Sequence, residues 1–365
     1  MKLLTGIARI AVGGLFIFSG LIKINDPVGT AIKLEEYFAV FSSNFGSFFS
    51  LFEPIALQLG VFLVVLEVVL GVAVLLYYRM NITTWALLLL ILFFSVLTFY
   101  SAFTGEVTDC GCFGDAIKLT PWESFNKDMV LLVFILILFM RRRDLKPILS
   151  DSTGHLVIAS ATVIGLFLSV YAIRNLPFID FRAYKEGTDI PQAMQPSEDL
   201  RYQYIMEKDG ELFEFESYPT DTTYQYKDIV LLNPEAQPKI TDYSIWNSNG
   251  DDLTNQSFQG VQLIVVVHFA EKAHSQAFDG INALLGQVDG KMGVMVLTAS
   301  DEPTFEDFRH QVQLAAPFFN GDATVLKTMV RSNPGILLLK DGVVIGKWHY
   351  RNLPSYQQLS ELASR

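Results

Sequence analysis

The feature that most constrains this chain is a set of five long apolar stretches, all within its first 179 residues. Each is about 20 residues long, which is the length an α-helix needs to cross a bilayer. Only helices or closed barrels satisfy their backbone hydrogen bonds in lipid, so the pattern predicts a multi-pass helical bundle. The predicted spans are Leu3–Ile22, Pro54–Tyr78, Thr84–Phe103, a fourth that starts at Pro121-Trp122 and is apolar from Met129 to Met140, and Leu156–Ile173.

The first span is interpreted as a retained helix rather than a signal peptide. No A-x-A-like cleavage site follows it, and the polar segment Lys23–Pro27 ends it instead. Residues 28–53 then form an amphipathic connector, predicted to lie on the membrane surface in contact with lipid. Its apolar side is a stripe of aromatic residues: Phe38, Phe41, Phe45, Phe48, Phe49 and Phe52.

The two halves of the chain differ in charge. Residues 1–179 carry 12 acidic and 12 basic side chains, whereas residues 180–365 carry 26 and 15. The second half therefore accounts for the whole formal charge of −11 and reads as a soluble domain. Because nucleic-acid binding needs a basic face, this acidity argues against a nucleic-acid partner.

The lysines and arginines of the short loops predict the orientation. With alternating spans, Lys2, Arg79 and the basic cluster at 141–146 fall on one side, which is assigned to the cytoplasm. The N-terminus is then cytoplasmic, and the loop after the third span lies outside together with residues 180–365. Outside is also the oxidising side, where a disulfide can persist.

That outer loop holds the only two cysteines of the chain, Cys110 and Cys112, separated by Gly111. A glycine between them eases the tight turn that would bring the two Cα atoms within disulfide range. The pair is therefore the candidate catalytic dithiol. Two alternatives stay open: the small residues simply close a turn, or the thiolates deliver a metal, although two thiolates alone leave a copper or zinc site short of ligands.

Two ionisable residues, Arg9 and Glu67, lie within predicted spans. Counted at ~1.5 Å per residue, they lie at similar depth on neighbouring antiparallel helices, within the reach of an arginine side chain. The sequence predicts a buried ion pair between them that fixes helix packing. A proton or quinone role is the alternative, because intramembrane charges commonly mark function.

Residues 1–145 resemble the DoxX-like family, and especially its branch that contains the methylamine-utilisation membrane protein MauE. The matching features are Arg9 with the segment GLFIFSGLIK at 14–23, Glu67 with Gly71, the Cys-Gly-Cys-Phe-Gly loop at 110–114, and Pro121-Trp122. The resemblance implies a four-helix bundle in a bacterial plasma membrane, associated with disulfide formation in exported partners. The quinone-linked vitamin K epoxide reductase bundle is a looser analogue, which makes a quinone the candidate cofactor.

The soluble half begins with an irregular linker and a hairpin predicted around Lys208-Asp209-Gly210. From about Ile240, strands alternate with helices in the order β-α-β-α-β-β-α, with Asn333-Pro334 before the third strand. This order resembles the thioredoxin fold, and residues 242–254 resemble the lead-in of its TlpA and peroxiredoxin-like branch. The resemblance implies that Pro334 is cis and shapes a peptide-binding edge. The family's Cys-x-x-Cys is missing, however, since the chain reads Phe-Ala-Glu-Lys-Ala-His at 269–274, which excludes thiol exchange by this domain.

The predicted fold is thus an α-helical transmembrane bundle, DoxX-like over 1–145, with a fifth transmembrane helix over 146–179. A linker and hairpin over 180–239 lead to an α/β thioredoxin-like domain over 240–365. Two functions are open. In the first, Cys110 and Cys112 accept electrons from an exported or periplasmic client, which the thioredoxin-like domain binds or positions. In the second, the chain is a non-enzymatic membrane adaptor that presents a redox-inactive binding domain.

Overall fold

The computed structural model describes residues 2–107 and 111–365. These residues divide into two compact units, Met1–Arg182 and Ala183–Arg365. Four apolar helices of the first unit precede a second unit built around an α/β sheet.

Within residues 2–107 and 111–182, the first unit contains six α-helices, and a 3₁₀ segment (Ser47–Ile55) leads into the third of them. The helices are α1 (Lys2–Asn25), α2 (Pro27–Phe45), α3 (Ala56–Leu75), α4 (Met80–Thr104), α5 (Pro121–Arg141) and α6 (Asp151–Arg174). Local sequence fixes several of their ends. Asp26 caps α2 by accepting from the Gly29 amide, and a reciprocal capping box between Thr120 and Glu123 starts α5.

In the described part of the chain, four segments are long and apolar enough to cross a membrane: Lys2–Asn25, Ser47–Leu75, Met80–Thr104 and Asp151–Arg174. Helix α5 forms where the fourth span was predicted, but Glu123, Lys127 and Asp128 occupy its first two turns. With these three charges, α5 is not apolar enough to count among the four candidate membrane-spanning segments. The five-span topology therefore remains a prediction.

Helices α1 and α3 approach each other at glycines. A Cβ added to Gly71 would lie 2.8 Å from the Gly13 carbonyl oxygen, and one added to Gly20 would lie 2.6 Å from a Val68 methyl carbon. Such close backbone approach is possible only without side chains at these points. The contacts fix which residues of α1 and α3 face each other.

The predicted surface connector is folded as α2 and the 3₁₀ segment. The aromatic residues contact one another, for example Phe41 with Phe49 at 5.4 Å between ring centroids. The opposite face of α2 is buried, with Leu34 and Tyr37 inside the bundle. The Tyr37 hydroxyl bonds the Ser101 hydroxyl of α4 at 2.7 Å. One face of helix α2 therefore packs against the other helices of the bundle, and the aromatic residues lie on the opposite face.

The second unit contains two sheets. The smaller has the order β2-β1-β3 and is made of β1 (Tyr202–Lys208), β2 (Glu211–Phe215) and β3 (Gln225–Leu231). Strands β1 and β2 form the hairpin predicted around residues 208–210. The short helix α7 (Ile190–Ala193) precedes them.

The larger sheet has six strands in the order β4-β7-β6-β5-β8-β9. Its strands are β4 (Ile245–Trp246), β5 (Val261–Val267), β6 (Gly293–Thr298), β7 (Phe318–Gly321), β8 (Gly335–Lys340) and β9 (Val343–His349). The helices are α8 (Phe278–Val288), α9 (Glu302–Gln311), α10 (Ala323–Met329) and α11 (Tyr356–Ser364). The central strand β5 is parallel to β6 and antiparallel to β8. Strands β4 and β7 and helix α10 are additions to the predicted order.

Candidate functional site

The candidate site is a cavity of about 80 Å³ inside the first unit, where α1 to α5 meet the cysteine loop. Space of this size holds several water molecules, provided polar groups line it. Most of the wall is apolar, but three lysines and two carboxylates reach into it. These charged residues are Lys23, Lys33, Glu67, Lys127 and Asp128.

Glu67 of α3 is a buried carboxylate at this cavity, with 2% of its surface exposed. Its Oε1 accepts a hydrogen bond from the Lys23 Nζ at 2.5 Å, and Lys23 is itself buried. Its Oε2 lies 3.1 Å from the Ser19 hydroxyl. Both oxygens of this buried carboxyl group are therefore engaged by α1.

The predicted ion pair between Arg9 and Glu67 is wrong. The guanidinium of Arg9 lies over the Tyr77 ring, 4.9 Å from its centroid, and Lys23 is the partner of Glu67. The cause is the register of α1 on α3 that the glycine contacts set. In that register Ser19 and Lys23 face Glu67, whereas Arg9 lies nearly three turns earlier, about 15 Å away along α1.

A second buried pair comes from α5. The Lys127 Nζ lies 2.7 Å from an oxygen of Asp128, and Asp128 also accepts from the Thr98 hydroxyl at 3.1 Å. Asp128 is 1% exposed, and these two donors provide its buried carboxylate with hydrogen bonds. Lys127 also interacts electrostatically with Cys112 and with Glu67.

Gly111 and Cys112 line the cavity, and Cys110 lies outside the described residues. The Cys112 carbonyl oxygen is 2.9 Å from the Ser19 hydroxyl. Phe113 follows as a buried anchor, 5.7 Å from the Phe18 ring and beneath the Lys127 ammonium. Gly111 has φ +63°, a conformation that favours glycine. The structure therefore brings Cys112 and Glu67 into one site, joined by Ser19, and leaves Arg9 apart.

Lys23, Ser19, Lys127 and Asp128 were not singled out as site residues from the sequence. In the sequence, Lys23 belongs to the polar segment that ends the first span. Lys127 and Asp128 come just before the apolar residues of the fourth span. One signal was available, because Ser19 and Lys23 are four residues apart and so share a helix face. What the sequence does not show is that this face is the one turned toward Glu67.

The second unit holds the remaining predicted site residue, Pro334. The Asn333–Pro334 bond is cis, as the resemblance implied. The Asn333 side chain spans the neighbouring segment, since its Oδ1 accepts from the His268 amide and its Nδ2 donates to the Phe269 carbonyl, both at 3.0 Å. The Asn333 carbonyl in turn accepts from the His274 amide at 3.1 Å. Pro334 thus adjoins the loop that lacks cysteines.

His268 lies behind this loop and is buried. One of its ring nitrogens, Nε2, is 2.9 Å from the Val330 carbonyl oxygen. Burial, helped by the nearby charges of Lys327 and Arg331, lowers the pKa of His268 to about 4. The imidazole is therefore neutral at pH 7 and donates from Nε2, which assigns it to the core of the unit rather than to acid–base chemistry.

Comparison with known proteins relates the first unit to a family of membrane proteins. Residues 1–141 match the family model described as methylamine utilisation protein MauE. The chain is also 30% identical over 168 residues to "Protein TlpB" of Flavobacterium psychrophilum, which covers 44% of this chain and 42% of that protein. The chain therefore spans less than half the length of this curated relative.

Proposed function

We propose that this protein is a membrane thiol–disulfide oxidoreductase component that acts on an exported protein through Cys110 and Cys112. One observation carries the proposal: Cys112 lines a cavity in the bundle in which Lys23, Glu67 and Lys127 converge. A thiol next to ammonium groups is more easily ionised, and the thiolate is the species that attacks a disulfide. The match of residues 1–141 to the MauE family supports a redox-associated membrane role.

The reaction is an exchange between two dithiol/disulfide pairs. A thiolate of the reduced client attacks the Cys110–Cys112 disulfide, and a mixed disulfide forms. The client's second thiolate then displaces the cysteine, so that the client holds a new S–S bond and Cys110 and Cys112 are reduced by two electrons. Two protons pass from the client thiols to the cysteine thiols or to neighbouring bases.

We propose a quinone as the acceptor that reoxidises the pair. When bound, a quinone supplies the capacity to take up two electrons and two protons. Each cavity lysine has a carboxylate partner: Lys23 with Glu67, Lys127 with Asp128 and Lys33 with Glu36. Since these charges are balanced, the site suits a neutral ligand better than an anion. An ammonium group has three donors and the partner carboxylate takes one, so Lys23 and Lys127 retain donors for carbonyl oxygens.

The α/β unit is proposed to bind or position the client. Its sheet order and the cis Pro334 beside residues 269–274 support a thioredoxin-like domain without its own thiols. We infer that the cysteine loop and this domain are extracytoplasmic and the N-terminus cytoplasmic, in a bacterial plasma membrane. The uneven distribution of loop lysines and arginines supports this orientation.

One observation favours the alternative of a non-enzymatic adaptor. At the position where the resemblance expects a redox motif, the chain forms a 3₁₀ turn over Ala270–Lys272, and the Asn333 carbonyl is already bonded to His274. A domain of this kind could bind a partner with no electron transfer anywhere in the chain. The two readings differ in whether Cys110 and Cys112 change oxidation state.

The deciding experiment measures that state in intact cells. Cells grown with oxygen are quenched with acid, and thiols are alkylated before and after reduction. We expect Cys110 and Cys112 to be oxidised at rest. In the single Cys110→Ser and Cys112→Ser variants, the remaining thiolate can attack the disulfide of an oxidised client in the reverse direction, which forms a mixed disulfide and frees one client thiolate. The double variant has no thiolate and should form no mixed disulfide. Ser95→Ala, which changes a buried serine of α4 instead, is the matched control. Two free thiols in the native membranes would refute the redox function and leave the adaptor.

A further inference from the structure

The smaller sheet of the second unit has an open edge at β2. Among the residues that the structure describes, β2 pairs with β1 alone, across a two-residue turn at 209–210. The residues that flank such a turn form a hydrogen-bonded pair, and Phe213 and Phe215 lie in register with that pair, so their backbone groups point toward β1. Leu212 and Glu214 therefore point their N–H and C=O groups away from the sheet. Such a row of backbone groups is a template for another strand.

The opposite edge of the sheet, at β3, is less suited to strand addition. The pairing of β1 with β3 is irregular between Ile205 and Met206, where Lys227 is an extra residue on β3. A bulge and a lysine are two of the devices that protect an edge strand from pairing. Strand β2 pairs in continuous register and has neither a lysine nor a proline over residues 211–216. The edge of β2 is therefore the one open to a further strand.

The two faces of this sheet differ in chemistry. One face is aromatic, since the Phe213 ring lies 5.5 Å from the Tyr224 ring between centroids. On the other face, the Gln203 amide donates to the Glu214 carboxylate at 2.7 Å. Glu216 follows two residues later and so lies on the same face as Glu214. An added strand would therefore place alternate side chains beside aromatic rings and beside carboxylates.

We propose that the edge of β2 binds an extended peptide in which basic and apolar residues alternate, as a fourth strand of this sheet. Main-chain hydrogen bonds to Leu212 and Glu214 would hold the peptide, as in other cases of strand addition. Its basic side chains would lie opposite Glu214 and Glu216, and its apolar side chains opposite Phe213 and Phe215. The charge of the edge thus selects the sign of the partner.

A second copy of β2 fits this edge poorly. It would bring Glu211, Glu214 and Glu216 against the same three carboxylates, and like charges on facing strands are destabilising. Leu212, which is 65% exposed beside these carboxylates, would remain available to a peptide. The basic character of the partner follows from this surface alone, whereas its identity as a segment of the exported client rests on the proposed function.

The experiment measures binding of a fluorescent peptide, Thr-Val-Lys-Val-Lys-Val-Thr, to the full-length protein in phosphatidylcholine nanodiscs by fluorescence anisotropy. We expect saturable binding that weakens as salt is added, because the two lysines meet exposed carboxylates. A peptide of the same composition in block order, Lys-Lys-Thr-Thr-Val-Val-Val, keeps the charge and loses the alternation. It should bind about tenfold more weakly, since its side chains no longer match both faces.

Methylation of peptide amides separates strand pairing from charge attraction. In an antiparallel strand with a lysine opposite Glu214, the lysine N–H groups point toward β2 and the valine N–H groups point away. N-methylation of both lysine amides should weaken binding about tenfold, because two hydrogen bonds are lost. N-methylation of two valine amides adds the same groups on the outer side and should leave binding unchanged.

Protein variants test the same edge. Glu214→Lys/Glu216→Lys should weaken binding about tenfold. Asp289→Lys/Asp307→Lys makes the same change in net charge at exposed acids outside the smaller sheet and should bind as the native chain does. Leu212→Pro removes an outward N–H at an edge position that tolerates proline, so binding should be lost. Leu212→Val keeps this N–H and should bind normally.

Equal binding of the alternating, block-order and lysine-methylated peptides overturns the proposal, and so does the absence of binding. A dimer of the native chain that Leu212→Pro converts to a monomer also overturns it, since the edge would then pair two copies. The double variant Cys110→Ser/Cys112→Ser should bind the peptide as the native chain does. Because binding needs neither thiol, failure of strand addition and failure of the redox function are separate results.

Discussion

The pair formed by Lys23 and Glu67 allows a test of the helix register on which the site depends. The perturbation is Lys23→Met, which leaves the Glu67 carboxylate 2% exposed and without its ammonium partner. Removing one partner of a buried ion pair costs about 3–5 kcal/mol. Because Ser19 still donates to Glu67, we expect the lower end of this range, about 3 kcal/mol.

The double variant Lys23→Met/Glu67→Leu removes both charges and replaces them with apolar groups of similar size. Such replacements are often neutral or stabilising, so most of the loss should be recovered. Glu67→Leu alone leaves the buried Lys23 ammonium without its partner and should also be destabilising. The cycle of single and double variants then gives a coupling energy of at least about 3 kcal/mol. The assay is unfolding of the purified protein in detergent by increasing SDS, followed by tryptophan fluorescence.

The control cycle uses Arg9→Met with Glu67→Leu. Arg9 contacts Tyr77 rather than Glu67, and residues more than about 7–10 Å apart usually add within ~0.5 kcal/mol. Arg9→Met alone should cost about 0.5–1 kcal/mol through the lost contact with the Tyr77 ring. The reasoning would be refuted if Glu67 coupled more strongly to Arg9 than to Lys23, since α1 and α3 would then pack in another register.

Two further predictions concern the cysteine loop and the α/β unit. In Gly111→Val, a branched side chain is forced into φ +63°, and its Cβ would lie 3.2 Å from the Lys33 Cγ. Because this opposes the turn between Cys110 and Cys112, both thiols should be alkylated without reductant. In the native chain and in Gly14→Val, a site with open space around it, the two thiols should appear together only after mild reduction. The α/β unit should lose about 3 kcal/mol of stability as the pH falls from 6.5 to 4. In the unfolded chain His268 has a pKa of about 6.5 and takes up a proton over this range, whereas in the folded chain its pKa is about 4 and it stays largely neutral. Urea unfolding of the full chain, read by proteolysis within β5, measures this loss; it should disappear in His268→Gln and persist in His310→Gln, which changes an exposed histidine.

Much of the architecture could be predicted because its signals are local. About 20 apolar residues in a row can satisfy a bilayer only as a helix, so α1, α3, α4 and α6 follow from hydropathy. The hairpin of β1 and β2 follows from alternation around the Lys-Asp-Gly turn, and Pro121-Trp122 predicts the start of α5. The strands β4 and β7 escaped prediction because they are too short to show a period, and both lie at one end of the six-stranded sheet.

The sequence predicted only some of the residues of the candidate site, for a physical reason. The sequence by itself determined that Cys112 follows a long apolar helix closely and that Glu67 lies within another apolar helix, since both statements depend on position along one helix or loop. Only the tertiary structure decided that Lys23, rather than Arg9, neutralises Glu67, and that Ser19 joins Glu67 to the loop. Those contacts depend on how α1 slides and rotates on α3, and a shift of one turn, about 5.4 Å, changes every partner. The close backbone approach at Gly13, Gly20 and Gly71 sets that register, and it involves residues that are far apart in the chain.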